Sequence, residues 1–196
     1  MVSIAITGHR PNNKSMGGYD YNSSKNLAIK KEIRHKFIEL ISSINDDFTF
    51  YCGGALGVDT FCFQIVEDIK NKKEQKLIIS DYTFVDREIN LILAMPFKEQ
   101  DKAWFKQSDK NELKREQEVA DKVVLVDTLE DYKIKGYTED IYYPAKMQKR
   151  NQFMVDNSDI VIAVWDGSKK GGTYNCIKYA QKLEKEIIQI NPKDIG

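Results

Sequence analysis

One segment organises the rest of the prediction: Phe48-Thr49-Phe50-Tyr51-Cys52-Gly53-Gly54-Ala55-Leu56-Gly57-Val58-Asp59. A short apolar run passes through glycines into residues 58–69, whose apolar side chains recur at helical spacing. A strand that ends in glycine and leads directly into a helix is typical of a βα unit. Glycine lets backbone amides approach a phosphate, and the helix N-terminus adds a favourable dipole. The segment therefore predicts a βα unit with an anion-binding turn.

The same alternation of apolar runs and helical patterns extends in both directions from this segment. Strands are predicted at residues 2–7, 48–52, 91–95, 122–126, 160–165 and 186–190, and helices at 25–44, 58–69, 111–120, 146–157 and 173–185. Continuous apolar strands are typical of parallel sheets that are covered on both faces. The sequence thus predicts one α/β domain: a Rossmann-like, doubly wound and mostly parallel sheet with helices on both faces.

Two segments interrupt the alternation. Residues 71–90 are charged at first and then apolar, which predicts an insertion with an extra strand or hairpin. Residues 128–144 are predicted to form a long loop near the ligand edge of the sheet, and loops of this length are often functional.

Composition narrows the classes of function. The 196 residues carry 30 basic and 30 acidic side chains, and a protein built to coat DNA usually has a basic excess. Three cysteines and two histidines give little material for a metal site, so neither a metal nor a cofactor is expected. No apolar run reaches the length of a membrane span, and the N-terminus is predicted to be a strand rather than a signal peptide. These features favour a cytoplasmic protein that does not bind membranes. The abundance of Lys, Asn and Ile indicates a bacterial or phage origin, and a homo-oligomer is expected.

Three turns that follow predicted strands contain the candidate site, because ligands of open α/β sheets bind at the carboxyl ends of strands. Gly8, His9 and Arg10 combine a tight turn with a forked cation, although a solvated loop is the alternative. The glycine-rich turn with Asp59 could equally be a plain strand–helix connection. The third turn runs from Asp166 through two lysines to Gly171, Gly172 and Thr173; it is not a Walker A motif, and a flexible polar loop is its alternative reading.

Cys176 is the one candidate nucleophile. It lies in the first turn of a predicted helix, where the dipole and nearby lysines could lower its pKa. No histidine follows nearby to act as a base, so a packed core residue is the favoured interpretation and no catalytic residue is assigned.

Taken together, these turns resemble the SLOG superfamily, which holds the DprA/Smf, LOG (Lonely Guy) and YpsA-like proteins, and the YpsA-like branch most of all. The resemblance covers most of residues 1–196 and rests on Ile6-Thr7-Gly8-His9-Arg10-Pro11, the glycine-rich segment, Met95-Pro96-Phe97-Lys98-Glu99-Gln100 with Trp104, and Lys149 to Asp159. The 71–90 insertion and the 128–144 loop depart from the family pattern. The resemblance implies a Rossmann-like SLOG domain.

The LOG likeness also bears on chemistry. It implies that Arg150 occupies the position of a ligand-binding arginine, whereas Cys176 stands where the catalytic glutamate would be. Glycosidic cleavage needs an acid or base near the leaving group, so the resemblance implies binding without efficient cleavage.

The leading hypothesis is a protein that binds a nucleotide or a nucleotide-derived, ADP-ribose-like ligand as a sensor or sequestering protein in bacterial stress or phage–host conflict. The alternatives are a LOG-like phosphoribohydrolase or N-glycosidase, and a DprA-like DNA-binding or YpsA-like cell-division-linked protein; nucleic acid is a possible but less favoured partner. The predicted ligand-binding residues are Gly8, His9, Arg10, Gly53, Gly54, Gly57, Asp59, Pro96, Arg150, Asp159, Asp166, Gly171, Gly172 and Thr173.

Overall fold

The computed structural model describes residues 1–74, 87–136, 138 and 140–195. Its centre is one sheet of six strands, with the bounds β1 Val2–Gly8, β2 Phe48–Cys52, β3 Ile89–Met95, β4 Lys122–Leu125, β5 Ile160–Val164 and β6 Glu186–Ile190. The strand order is β4-β3-β2-β1-β5-β6, and all five pairings are parallel. The order reverses between β1 and β5, so the crevice beside these two strands is where such a sheet offers a ligand site.

Within the described residues, five α-helices connect the strands: α1 Ser24–Ser43, α2 Val58–Glu74, α3 Gln107–Val119, α4 Pro144–Asp156 and α5 Gly172–Lys182. Ser23 caps α1 by accepting a hydrogen bond from the Asn26 amide, and Pro144 starts α4 where its missing N–H costs nothing.

The helices cover both faces of the sheet. On one face, α1 and α2 pack with Leu113 of α3 against Ile4 and Ile6 of β1. On the other, α4 and α5 pack against Ala5 of the same strand. Side chains alternate between the two faces along a strand, which separates the two cores. The predicted Rossmann-like α/β fold is therefore confirmed, and α4 and α5 bring their N-terminal regions to the sheet edge at which β1 and β5 end.

Two predicted boundaries change. Residues 71–74 continue α2, and 89–90 already belong to β3, so both ends of the predicted 71–90 insertion are regular elements; the strand or hairpin predicted inside it falls on 75–86, outside the described residues. The fourth strand ends at Leu125, because Val126 begins a 3-10 turn, Val126–Thr128, and the predicted 128–144 loop runs between that turn and α4. None of the described helices has the length and apolar character needed to cross a membrane.

Candidate functional site

A cavity of about 480 Å³ opens at the carboxyl ends of β1 and β5. Its walls come from the turn after β1, the start of α2, the middle of α4, and the turn between β5 and α5. The lining residues are Ile6, Thr7, Gly8, His9, Arg10, Asn12, Asn13, Ala55, Asp59, Met147, Arg150, Asn151, Ser168, Lys170, Gly171, Gly172 and Thr173. Its volume lies within the range that small-molecule sites occupy. We call this space the phosphate cavity.

Short contacts hold the turns around this cavity together. The Thr173 hydroxyl donates to the Gly8 carbonyl over 2.8 Å, which ties α5 to β1. The amide of Val58 donates to the His9 carbonyl over 3.3 Å, which ties α2 to the same turn. A Cβ atom on Gly8 would lie 2.4 Å from Val58 Cγ1, so glycine is needed for this close approach.

Arg150 and Asp59 form a buried ion pair in the cavity wall. Their side chains are 7% and 9% exposed, and Arg150 Nη1 donates to Asp59 Oδ2 over 3.3 Å. Burial raises the pKa of Asp59 and lowers the pKa of Arg150, while the opposite charge of each partner resists these shifts. Arg150 Nε is buried and has no hydrogen-bond partner among the described residues. The pair thus leaves donor capacity of the guanidinium unused.

The glycine-rich turn supports this arginine and does not line the cavity with its glycines. A Cβ atom on Gly53 would lie 1.5 Å from Arg150 Nη1, so Gly53 provides room for the guanidinium. Gly54, with φ 63°, turns its carbonyl to Gln100 Nε2, 2.9 Å away. Gly57 lies against the His9 carbonyl. The turn reaches the cavity through Ala55 and Asp59, and the predicted ligand-binding residues Gly53, Gly54 and Gly57 are absent from the cavity lining.

His9 and Asp166 connect the first and third turns. The Asp166 amide lies 3.1 Å from His9 Nε2, and the Asp166 carboxylate lies 2.8 Å from the same atom. Burial alone would raise the pKa of Asp166, but hydrogen bonds from Ser168 and His9 hold that pKa well below its usual range. Asp166 is absent from the cavity lining, so it positions His9 and the third turn.

The charge of the cavity lining is positive. Arg10, Arg150 and Lys170 are its cations, and Asp59 is its one carboxylate among the described residues. The charge of Arg10 opposes the rise in the pKa of Asp59 and adds to the lowering of the pKa of Arg150, so Arg10 acts on both members of the buried pair. At the third turn, Gly171 precedes α5 with φ 90° and offers no side-chain cap to its first amides. This combination of cations and an uncapped helix N-terminus favours an anion.

Two predicted site residues lie elsewhere. Asp159 precedes β5 at the amino end of the sheet, where its carboxylate accepts hydrogen bonds from the amide and hydroxyl of Ser3. It therefore fastens β1 to β5 at the opposite edge of the sheet, away from the cavity in which its ligand contact was predicted. Pro96 is buried after β3, on the far side of β2, and it does not line the cavity.

The structure also adds residues that the sequence analysis did not assign to the site. Met147, Arg150 and Asn151 share one face of α4 because they are three and four residues apart. That spacing was visible in the sequence, and it could have extended the prediction from Arg150 to its neighbours. Asn12 and Asn13 gave no such signal, because they lie in an irregular turn after β1.

Cys176 is fully buried in the core between α4, α5 and the sheet. Burial raises the pKa of its thiol to about 11, although the Thr7 side chain and Arg150 act in the opposite direction. A neutral buried thiol is a poor nucleophile. Across the described residues there is no group of three His, Cys, Asp or Glu side chains that could hold a metal ion.

A model of the YspA SLOG family matches residues 4–195. The SPbeta prophage-derived protein YoqJ of Bacillus subtilis (strain 168) is 40% identical over 168 residues, which are 85% of this chain and 89% of YoqJ. The UPF0398 protein YpsA of the same organism is 25% identical over 187 residues, 95% of this chain and 88% of YpsA.

Two solved structures with the same fold are DNA processing proteins. The protein DprA from Streptococcus pneumoniae superposes with a TM-score of 0.56 at 12% identity, over 97% of this chain and 50% of DprA. DNA processing protein A from Helicobacter pylori, studied for its single-stranded DNA binding mode, gives a TM-score of 0.53 at 16% identity, over 97% of this chain and 65% of that protein. The chain thus spans half to two thirds of these structures, and at such identities the likeness concerns the fold.

Proposed function

The chain belongs to the YspA SLOG family, and on that premise we propose that it binds the phosphate group of a nucleotide or nucleotide-derived ligand in the phosphate cavity. The observation that carries the proposal is the guanidinium of Arg150, a residue that lines a cavity with a positive lining and has one donor, Nε, without a partner among the described residues. A buried cation with an unused donor is costly unless an acceptor completes it. A phosphate oxygen supplies such an acceptor and also balances the excess charge.

The N-terminus of α5 strengthens this choice of ligand. Gly171, Gly172 and Thr173 line the cavity beside Lys170, so backbone amides and an ammonium group face the same space. Helix N-termini of this kind bind phosphate through their free amides and their dipole. Thr173 cannot turn its hydroxyl inward freely, because that hydroxyl is bonded to the Gly8 carbonyl. The backbone and the cations therefore carry the recognition.

Two adjacent lysines provide a matched test. Lys170 lines the cavity, whereas Lys169 is exposed in the same turn and does not. Calorimetry with AMP should show that Lys170→Ala weakens binding by about twofold to fivefold, the range for one exposed charge pair. Lys169→Ala should leave the affinity unchanged. Equal losses in both variants would reduce the effect to general charge attraction and contradict the proposed site.

The ligand series separates phosphate recognition from other binding. AMP, GMP and ribose 5-phosphate should raise the melting temperature, because a ligand that binds only the folded state stabilises it by mass action. Adenosine, which lacks the phosphate, should raise it far less at equal concentration. A response to adenosine as large as the response to AMP would refute phosphate binding.

Binding of single-stranded DNA is a second candidate function. The observation that favours it is the fold shared with DNA processing protein A, together with an exposed Phe105 near the cationic cavity. Proteins that bind single strands combine a basic groove with aromatic stacking platforms. Fluorescence anisotropy of a labelled ten-nucleotide strand tests it: affinity that falls steeply with salt and exceeds that for AMP would favour this candidate.

A further inference from the structure

A second cleft, of about 400 Å³, adjoins the phosphate cavity. Arg10 and Asn12 line both spaces, so the two are continuous through the turn after β1. The remaining wall comes from the segment before α3, with Trp104, Phe105 and Lys106. A ligand held by its phosphate beside Arg10 can therefore extend into this cleft.

Aromatic rings dominate the cleft, and they are poorly covered. Phe105 is 100% exposed and Tyr19 is 48% exposed, whereas Trp104 is partly buried against the main core. A fully exposed phenyl ring lacks the favourable free energy that burial of its apolar surface would provide. Lys106 Nζ donates to the Tyr19 carbonyl over 3.2 Å and lies 5.6 Å from the centre of its ring, so the two sides of the cleft are tied together. A flat ring stacked in this cleft would cover the exposed surface.

Asp109 adds a carboxylate, a hydrogen-bond acceptor, to the cleft. Its side chain belongs to the first turn of α3 and lines the cleft, yet the residue is only 9% exposed. No hydrogen bond or ion pair to its carboxylate exists among the described residues. Its position in the first turn of α3 lets the helix dipole stabilise the negative charge of the carboxylate. Asp109 is not among the residues with a fully buried oxygen that lacks a partner, so its carboxylate keeps access to the cleft that it lines and can accept hydrogen bonds there.

We propose that this cleft binds the base of the nucleotide whose phosphate lies in the phosphate cavity, with guanine preferred to adenine. The inference rests on the proposed function, and it assigns the base. An ionised carboxylate accepts hydrogen bonds and donates none. Guanine presents two neighbouring donors, N1–H and the N2 amino group, which one carboxylate can accept together. Adenine presents one amino donor beside the acceptor N1, so the acceptor would oppose the second carboxylate oxygen. Phe105 and Tyr19 stack on either base, and Asp109 discriminates between them.

Calorimetry of two cleft variants with GMP, AMP and ribose 5-phosphate tests the assignment. Phe105→Ala should weaken GMP and AMP by about fivefold to a hundredfold, the range for losing one base stack. Asp109→Asn should weaken GMP by about tenfold, the cost of a charged hydrogen bond, and change AMP much less. Neither variant should change the affinity for ribose 5-phosphate, which has no base.

Matched controls lie on the same helix. Val119→Ala removes an exposed apolar side chain and Glu118→Gln an exposed carboxylate, both at the far end of α3. Both should leave all three affinities unchanged. If ribose 5-phosphate binds as tightly as GMP, or if Asp109→Asn weakens GMP and AMP equally, the base assignment is wrong while phosphate binding stands. If none of the phosphorylated ligands binds, the proposed function itself fails.

A final arm identifies the source of the guanine nucleotide. A ten-nucleotide DNA strand with a 5′-phosphorylated guanosine presents the same chemical group as GMP. Both sources share the base and phosphate, and both should respond to Phe105→Ala. Tighter binding of the strand than of GMP would assign the site to strand ends, and weaker binding would assign it to free nucleotides. A strand that binds equally well to wild type and to Phe105→Ala would count against the cleft.

Discussion

Two cations on α4, Lys146 and Arg150, stand one helical turn apart, and each meets a buried aspartate. Lys146 Nζ lies 2.9 Å from Asp127 Oδ2, donates to the Thr138 carbonyl over 2.9 Å, and lies 5.4 Å from the centre of the Phe97 ring. Arg150 makes one hydrogen bond, at 3.3 Å, and keeps Nε without a partner. The ammonium group is saturated by the protein, whereas the guanidinium is not.

The difference separates a structural pair from a binding pair. The Lys146 pair also receives the Asp140 amide at Asp127 Oδ2, so it closes the segment that precedes α4. The group left without a partner there is Asp127 Oδ1, an acceptor, which does not suit an anion. At Arg150 the unused group is a donor, on a residue that lines a positive cavity. Burial alone therefore does not identify a site; the type of the unused group does.

The largest expected effect comes from breaking the pair of Lys146 and Asp127. Lys146→Met should lower the free energy of unfolding by about 3–5 kcal/mol, because it leaves the Asp127 carboxylate buried without its cation. Urea titration measures the loss, and Lys149→Met, which removes a half-buried cation from the same helix, should cost under about 0.5 kcal/mol. Similar losses in both variants would mean that the Lys146 pair carries no structural role.

The next largest effect is expected on ligand binding, when the pair of Arg150 and Asp59 is broken. Arg150→Met should weaken AMP by about tenfold to a hundredfold, since hydrogen bonds to a charged group contribute about 1.5–3 kcal/mol. It also leaves Asp59 buried alone, so the double variant Asp59→Asn with Arg150→Met should recover most of the lost stability. Calorimetry beside urea titration separates the two roles. Recovery of affinity in the double variant would show that Arg150 acts only through the fold.

A smaller effect is expected at a buried carboxyl group that interacts with Asp59, the partner of Arg150. Glu116 of α3 is buried, and burial raises its pKa to about 8, with the charges of Glu112 and Asp59 adding to the shift. The folded state therefore holds this proton between pH 4.5 and 8 while the unfolded state releases it, so stability falls as the pH rises through that window.

Glu116→Gln should remove this part of the pH dependence. The loss of stability between pH 5 and pH 8 should shrink by about 1–3 kcal/mol, the cost of a buried polar group without a partner. Glu118→Gln, on an exposed turn of the same helix, should leave the pH dependence as it is in the wild type. An unchanged profile in Glu116→Gln would mean that this carboxyl group titrates normally.

The smallest effect is expected at Cys176. Cys176→Ala should change AMP affinity by less than about twofold, because the thiol is buried in the core and does not line the cavity. Chromatography should find no rapid release of free base from AMP, since cleavage needs a proton donor or base at the leaving group, worth about 10²–10⁴ in rate. Rapid release that survives Cys176→Ala would assign catalysis to another carboxylate, with Asp59 the first to test.

The strands and helices followed from local pattern, and the ion pairs did not. Residues 48–52 and 186–190 are observed with the predicted bounds, because an apolar run between polar breaks is a local signal. The pairing of Arg150 with Asp59 depends on how α4 crosses the sheet, and no local pattern encodes that crossing. The pairing of Lys146 with Asp127 has no local signal for the same reason. Asp159 was misplaced although its position was deducible: it precedes β5, and residues before a parallel strand lie at the edge opposite the ligand.

Gly53 has a consequence for how such a protein can be rebuilt. Moving the glycine-rich turn alone into another scaffold would not transfer anion recognition, because the turn would lack the guanidinium that it accommodates. The turn is shaped to admit a guanidinium from α4, since a single methyl group at Gly53 would overlap with Arg150 Nη1. The two segments are distant in sequence but depend on each other, and we expect the substitutions tolerated at Gly53 to depend on the residue at position 150, and the reverse.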